Sequence, residues 1–275
     1  MPLQRNRQAT WEQRIDRAKE LAEAYPFASQ ILSFYSEIAA FQQSLQVRLK
    51  SAGNGAEHTE YLPFRDCLDL ATVLPFVPAL LSLVARVAPP ALEQAAEELK
   101  REQAEYWGYL LSAYWNSEGH VVDGAPETHL FFARVLLQPS AEHLAGLRDI
   151  EFPRYGPPTC PVCTGKPQVG VLREEGHGAK RSLVCSLCLT EWDYRRVVCP
   201  ACGEERFDKL PAYTASQFEH MRVDACDTCK RYINTVDLTK NGLAIPEVDE
   251  LATIPLGLWA QENGYTKLQL NLLGM

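Results

Sequence analysis

The sequence carries none of the familiar catalytic signatures. GxSxG, HExxH, Walker A and a GxGxxG between strand and helix are all missing. The six histidines, His58, His120, His129, His143, His177 and His220, are scattered along the chain. His177 and His220 fall between cysteine pairs and could approach a metal, but read better as surface or structural residues. Positive charge is also short: the formal net charge is -8 and the pI near 5.4. A protein that grips a nucleic-acid backbone usually leans the other way. Membrane signals are missing too. The start, MPLQRNRQATWEQRIDRAKE, has no apolar h-region, and no stretch approaches the roughly 18 uninterrupted apolar residues of a spanning helix. The nearest candidate, Leu70–Ala88, is interrupted by Pro75 and Pro78 and reads as buried helix or loop. The expectation is a soluble, cytoplasmic chain with no membrane insertion.

What is present is an ordinary globular composition, 46% hydrophobic and 23% charged over 275 residues. That length suits one large domain or two ordinary ones. Against it stand nine cysteines, eight of them in CxxC pairs: Cys160/Cys163, Cys185/Cys188, Cys199/Cys202 and Cys226/Cys229. Disulfides do not persist in a reducing compartment, so paired thiols there point to metal or redox chemistry. A CxxC turn aims two thiolates at one ion while its backbone N–H groups donate to the sulfurs. Two such turns make a tetrahedral S4 site. The pairs are expected to group in chain order into two sites of the zinc-ribbon or rubredoxin-like kind. A thioredoxin-like CxxC would come singly beside a βαβ unit, and none is visible. With four cysteines in each site no ligand position is left open, so metal-centred catalysis is not expected. Two structural zinc sites would serve equally well to stitch together a small β region. Thiolate sets suit zinc and iron alike, and spacing does not choose. The ninth cysteine, Cys67, reads as a buried hydrophobe in a helical setting.

Around the cysteines the texture of the chain changes. Residues 1–150 read as a helical domain. Helices are expected at Trp11–Ala24, from Pro26 toward Lys50, at Leu92–Trp115 and at Thr128–Leu137, with SAGNG (Ser51–Gly55) stopping the second. The second carries an apolar stripe of Phe27, Ile31, Phe34, Ile38, Phe41 and Leu45. Prolines 139, 153, 157 and 158 then break the periodicity, and RYGPP reads as a linker. Short strands are expected at Gln168–Leu172, Arg181–Val184, Trp192–Val198 and Met221–Val223. Tyr232, Val236 and Leu238 alternate as in an edge strand. A helix at Glu247–Gly264 follows, bearing Leu251, Ile254, Leu258 and Trp259 on one face and a start or kink at Pro255. The fold class is therefore α+β. A helical domain (1–150) precedes a first rubredoxin-like or zinc-ribbon module (160–192), a second (193–238), and a segment with a helix (239–275).

Charge within the cysteine region speaks to the partner. Between Cys160 and Cys229 nine Lys/Arg face ten Asp/Glu. Each site of four thiolates and a divalent ion adds further negative charge. A nucleic-acid-reading ribbon would be basic, and Arg195–Arg196 alone is too small a patch. Trp192, Arg195 and Arg196 lie between the two modules and are candidates for protein contact.

The run CSLCLTEWDYRRVVCPACG, then RVDACDTCKRYINTVDLTKNGLAIPEVDELATIPLGLWAQENGY, resembles the formate dehydrogenase accessory protein FdhE family. The likeness includes CPVCTGKPQVGVLR at the first knuckle and extends in detail from Cys160 onward. The resemblance implies a cytoplasmic maturation factor, not an enzyme, that binds the catalytic subunit of a molybdenum- or tungsten-containing formate dehydrogenase. It also implies two rubredoxin-type iron sites, with zinc as the alternative, on the eight paired cysteines. One departure is CPVCTG, where Thr164 stands before Gly165 and a simpler turn would read CPxCG. A homodimer is compatible with the sequence. The competing functions are a zinc-ribbon nucleic-acid adaptor and a small rubredoxin-like electron carrier.

Overall fold

The computed structural model describes residues 8–51, 63–117, 122, 124–148 and 154–275. His58, His120, Pro153 and most of the SAGNG stop fall outside them. The first half is helical. α1 (Trp11–Ala24) opens with a capping box: Thr10 Oγ1 accepts from the Gln13 N–H at 3.2 Å, and Gln13 Oε1 accepts from the Thr10 N–H at 2.8 Å. α2 (Ser29–Ser51) packs on α1, with Leu32, Tyr35, Ile38, Ala39 and Leu45 buried. Phe34, Ile38 and Leu45 of the expected stripe are buried, Ile31 and Phe41 are half-buried against the core, and Phe27 is exposed. Two buried glutamines join the same face. Gln46 accepts from Trp11 Nε1 at 3.1 Å, and Gln42 donates to the Val135 carbonyl at 3.0 Å.

The apolar stretch Leu70–Val87 is long and apolar enough, by length and composition, to count as a candidate span. Its prolines divide it into two 3-10 turns and α3 (Val77–Val87), 11 residues long. A helix of that length reaches about 16 Å, roughly half a bilayer's hydrocarbon thickness. The single helix expected over Leu92–Trp115 is two, α4 (Pro90–Leu99) and α5 (Ala104–Asn116). The exposed run Lys100–Gln103 between them offers no apolar side chain to the core. α6 (Glu127–Leu147) is longer than expected and passes straight through Pro139. Proline at that position removes the N–H that Val135 O would accept, and Gln42 supplies the missing donor from α2.

The second half is a seven-stranded sheet: β1 (Pro167–Glu175), β2 (Gly178–Cys185), β3 (Glu191–Tyr194), β4 (Ala212–Thr214), β5 (Met221–Ala225), β6 (Arg231–Asp237) and β7 (Thr266–Lys267). The order is β3-β2-β1-β6-β5-β4, with β7 added to β6. The segment expected as an edge strand is thus β6 in the interior. It pairs parallel with β1 (Val169↔Asn234, Leu172↔Asp237) and antiparallel with β5. Alternation alone could not reveal this, because both faces of β6 are covered. The strand expected over Trp192–Val198 stops at Tyr194, and the chain then turns.

Val169, Val171, Val223, Tyr232 and Val236 form one apolar layer of the sheet. It packs on Leu256 and Ala260 of α8 (Ile254–Glu262). Before α8 comes the short α7 (Pro246–Asp249); Pro255 lies in the first turn of α8, so it starts that helix rather than kinking it. Leu258, expected on the buried face, is exposed. On the sheet's other side Leu183, Ile233 and Trp192 join the core of the helical half.

Close approach inside the sheet depends on Gly170. A Cβ there would meet Thr235 Oγ1 at 2.4 Å, and that hydroxyl already donates to Asp224 at 2.7 Å. Gly170→Ala is expected to cost about 1–3 kcal/mol as an overpacked core, read as a lowered urea midpoint with unchanged slope.

Polar clamps tie the halves together. Arg14 on α1 is 1% exposed. It grips Glu142 of α6 through two N–H groups at 3.0 and 2.6 Å, and its Nε lies 2.9 Å from Glu247 of α7. Arg17 holds Asp249 at 3.0 and 2.6 Å, and His220 Nε2 meets the same carboxylate at 2.9 Å. Burial alone would raise the Asp249 pKa, but hydrogen bonds from His220 and Arg17 outweigh it and hold the carboxyl below its ordinary range.

Candidate metal centres

The four CxxC turns fold alike. In each, the N–H of the first cysteine donates to a carbonyl five residues on: Cys160 to Gly165 O, Cys185 to Thr190 O, Cys199 to Glu204 O and Cys226 to Arg231 O, at 2.8–3.0 Å. The residue before that acceptor takes a left-handed φ: Thr164 (64°), Leu189 (53°), Gly203 (76°) and Lys230 (55°). Thr164 therefore occupies the place that Gly203 fills in the third knuckle. The departure in CPVCTG leaves the turn geometry intact, and the Thr164 hydroxyl donates to Cys163 O at 2.6 Å. Only one of the four knuckles uses glycine where the backbone favours it. Gly203→Val is expected to destabilise its knuckle by about 1–2 kcal/mol, visible as earlier loss of the second site's ion on heating.

These turns bring the cysteines into two groups, Cys160, Cys163, Cys185 and Cys188, and Cys199, Cys202, Cys226 and Cys229. Within each group the sulfurs lie within 4.8 Å of one another. The pairs Cys160–Cys188 and Cys163–Cys185 are 3.6 and 3.3 Å apart, and Cys199–Cys229 and Cys202–Cys226 both 3.7 Å. A tetrahedral ion with metal–sulfur bonds of about 2.3 Å sets its sulfurs about 3.8 Å apart. The donor sets therefore fit a tetrahedral thiolate ion, and none of the nine cysteines forms a disulfide. Backbone N–H groups of Val162, Leu187 and Ala201 point at Cys160, Cys185 and Cys199 at 3.4 Å, and Thr190 Oγ1 lies 3.2 Å from Cys188 Sγ. Such donors stabilise thiolate over thiol.

The surroundings of the two sites differ. All four sulfurs of the first belong to buried residues in the core shared with the helical half. Arg65 donates to Cys163 O at 2.6 Å, Gln8 to Leu189 O at 2.7 Å and Gln138 of α6 to Ser186 O at 3.3 Å. Burial pushes the Cys185 and Cys188 thiols well up, while hydrogen bonds from Cys160, Cys185 and Cys188 pull Cys163 down. Several negative charges cannot share this pocket unless a cation lies among them. The second site is peripheral, with Cys202 exposed and Cys229 half-buried. There burial still raises the Cys229 thiol, to about 11.

The remaining sequence-predicted residues sit elsewhere. Trp192 is 2% exposed, with Nε1 donating to Pro157 O at 2.9 Å and its ring against Gly156. Its ring faces inward and offers a partner no surface. Arg195 and Arg196 are exposed, the first paired with Glu205 at 2.6 Å. His177 is exposed in the β1–β2 turn, and neither it nor His220 joins a cysteine group. Cys67 is half-buried rather than enclosed, its thiol 3.3 Å from Pro63 O. The Arg65 and Gln138 braces leave no local pattern in the sequence, since each reaches its knuckle through one hydrogen bond spanning 98 and 48 residues respectively.

A helical half joined to one sheet that carries two four-cysteine clusters defines a two-site thiolate metal-binding class of protein. The family models described as "FdhE, central domain" and "FdhE, C-terminal domain" match residues 159–196 and 197–273. A "Protein FdhE homolog" of Aquifex aeolicus is 30% identical over 279 residues, 94% of each chain. That of Pseudomonas aeruginosa is 30% identical over 215 residues, 73% of this chain and 66% of its own. The crystal structure of the FdhE protein from Pseudomonas aeruginosa aligns with a TM-score of 0.73 over 97% of both chains, at 24% identity. The chain belongs to the FdhE family.

Proposed function

We propose that this chain is a cytoplasmic, non-enzymatic maturation factor for a formate dehydrogenase, binding the catalytic subunit and carrying one iron ion in each four-cysteine cluster. The observation that carries the reading is the pair of S4 clusters, one enclosed and one peripheral, in an FdhE-family chain. Both have thiolate-stabilising N–H donors and neither keeps an open ligand position. The eight paired cysteines are the ligands, and zinc is the alternative ion. The exposed Arg195 and Arg196, on the turn between the clusters, are the contact candidates that remain once Trp192 is seen to be buried. Nucleic acid is disfavoured by the net charge of -8.

The test is co-purification of anaerobically prepared, metal-loaded protein with the formate dehydrogenase catalytic subunit, alongside formate oxidation in a strain lacking the gene. Association together with lost oxidation is expected. No association and intact oxidation would sink the proposal. A second reading, electron transfer through the outer site, is favoured by the exposure of Cys202. It requires visible absorption that bleaches reversibly with dithionite.

A further inference from the structure

Beside the second cluster lies a cavity of ≈ 200 Å³ whose electrostatics run against the rest of the molecule. Four arginines line it: Arg181 of β2, Arg196 of the turn after β3, Arg222 of β5 and Arg231 of β6. One carboxylate, Asp224, faces them. Set against Asp224 and the net -2 of four thiolates around a divalent ion, the arginines leave an excess of one positive charge in this recess of a chain whose net charge is -8. Its walls are apolar, with Val197, Phe207, Ile233 and Leu268, and its floor includes Cys199 and Cys226.

The neighbours already present do not consume these donors. A guanidinium offers five N–H groups and cannot shed its charge. Arg181 is 5% exposed and spends Nη1 on Val198 O at 3.1 Å. Its Nη2 finds only Asp224 Oδ2, at 3.5 Å, and its Nε has no hydrogen-bond partner among the described residues. Asp224 is already engaged, by the Thr235 hydroxyl at 2.7 Å and by Arg222, whose Nε lies 2.8 Å from it. Arg196 and Arg231 each direct Nη1 to a backbone carbonyl, Ala179 O and Lys267 O, both at 3.3 Å. Leaving a buried guanidinium N–H unmade costs the full desolvation of that donor, and the recess is wide enough to admit a partner for it.

We propose that this cavity is a binding site for a small oxyanion, a phosphate or carboxylate group, seated on the arginines against the second cysteine cluster. Planar N–H pairs suit the two-oxygen edge of either group. The low, apolar walls strengthen the attraction, and Asp224 holds Arg222 and Arg181 in place. The site does not depend on which protein the chain serves, and a trivalent ion in the second cluster would leave it one charge more positive than a divalent one.

The test is calorimetric titration of the full-length metal-loaded protein with inorganic phosphate and, separately, with acetate. Chloride is adjusted to constant ionic strength so that screening is equal throughout. Saturable binding with Kd of about 1 mM or tighter to at least one anion is expected. Arg196→Gln and Arg231→Gln, both at exposed positions, should each weaken it about tenfold, the effect of losing one charge-assisted hydrogen bond. Arg195→Gln, whose side chain pairs with Glu205 outside the cavity, should leave it unchanged. Phosphate-only or acetate-only binding identifies the group the site takes. Absence of saturable heat up to about 10 mM of both anions overturns the proposal. So does binding that survives both cavity substitutions, or that falls equally with Arg195→Gln.

Discussion

Cys185→Ser is expected to unfold the chain, whereas Cys202→Ser should release the outer ion and leave the rest standing. The reason is placement. Cys185 ends β2, is fully enclosed, and shares a core with α6 and the helical half. An ion there would hold two knuckles to which Arg65, Gln8 and Gln138 are anchored. Structural thiolate sites in small peptides contribute about 10–16 kcal/mol of apparent binding energy, comparable with the roughly 5–15 kcal/mol stability of a whole domain. Losing one ligand from the buried site also strands charged or desolvated thiols with nowhere to go. Cys202 is exposed, so water can replace its sulfur, and β4–β6 keep their ladder without it. Near-ultraviolet circular dichroism and metal content after gel filtration check both variants. Wild-type melting with only one retained ion in Cys185→Ser would show that the first cluster holds no structural metal.

Arg14→Met should cost about 3–5 kcal/mol, the usual consequence of removing one partner from a buried ionic group. The guanidinium lies between Glu142 and Glu247, and these carboxylates join α6 to the segment after the sheet. Burial holds the Glu247 carboxyl above its ordinary range even with Arg14 present. Without the cation, Glu247 would bind its proton more tightly still. A raised folded-state value gives stability that is complete below the unfolded value, near 4.3, and is lost as pH rises through the folded one. The variant should therefore be relatively most stable in acid and lose stability toward neutral pH. Urea unfolding at several pH values measures this; a flat profile, or a loss under about 1 kcal/mol, counts against the clamp. Adding Glu142→Gln should recover part of the loss, because one stranded charge disappears.

Much of this was legible because it is local. The apolar spacing of Trp11–Ala24 marks α1 to its ends, and chain order groups the cysteines as the fold does. What escaped is what distant residues impose. Pro139 reads as a helix stop until Gln42 is brought beside Val135. The enclosure of Arg14 by Glu142 and Glu247 joins residues more than a hundred positions apart and leaves no local pattern. Trp192 reads as an interface aromatic until the RYGPP linker closes over its ring. The arginine recess gathers four strands or turns that no linear motif connects, and a parallel pairing such as β1 with β6 leaves no signature in periodicity.

That pairing sets a schedule for the newborn protein. β1 and β2 with the first four cysteines emerge from the ribosome before β6 does, so the hairpin waits with one edge of β1 bare. An unpaired edge is an invitation to association, and non-local ladders close late. Early capture of an ion by the first cluster would pin the hairpin during that wait. The supply of metal to the cell would then govern how much chain survives to maturity, apart from anything the metal does afterwards.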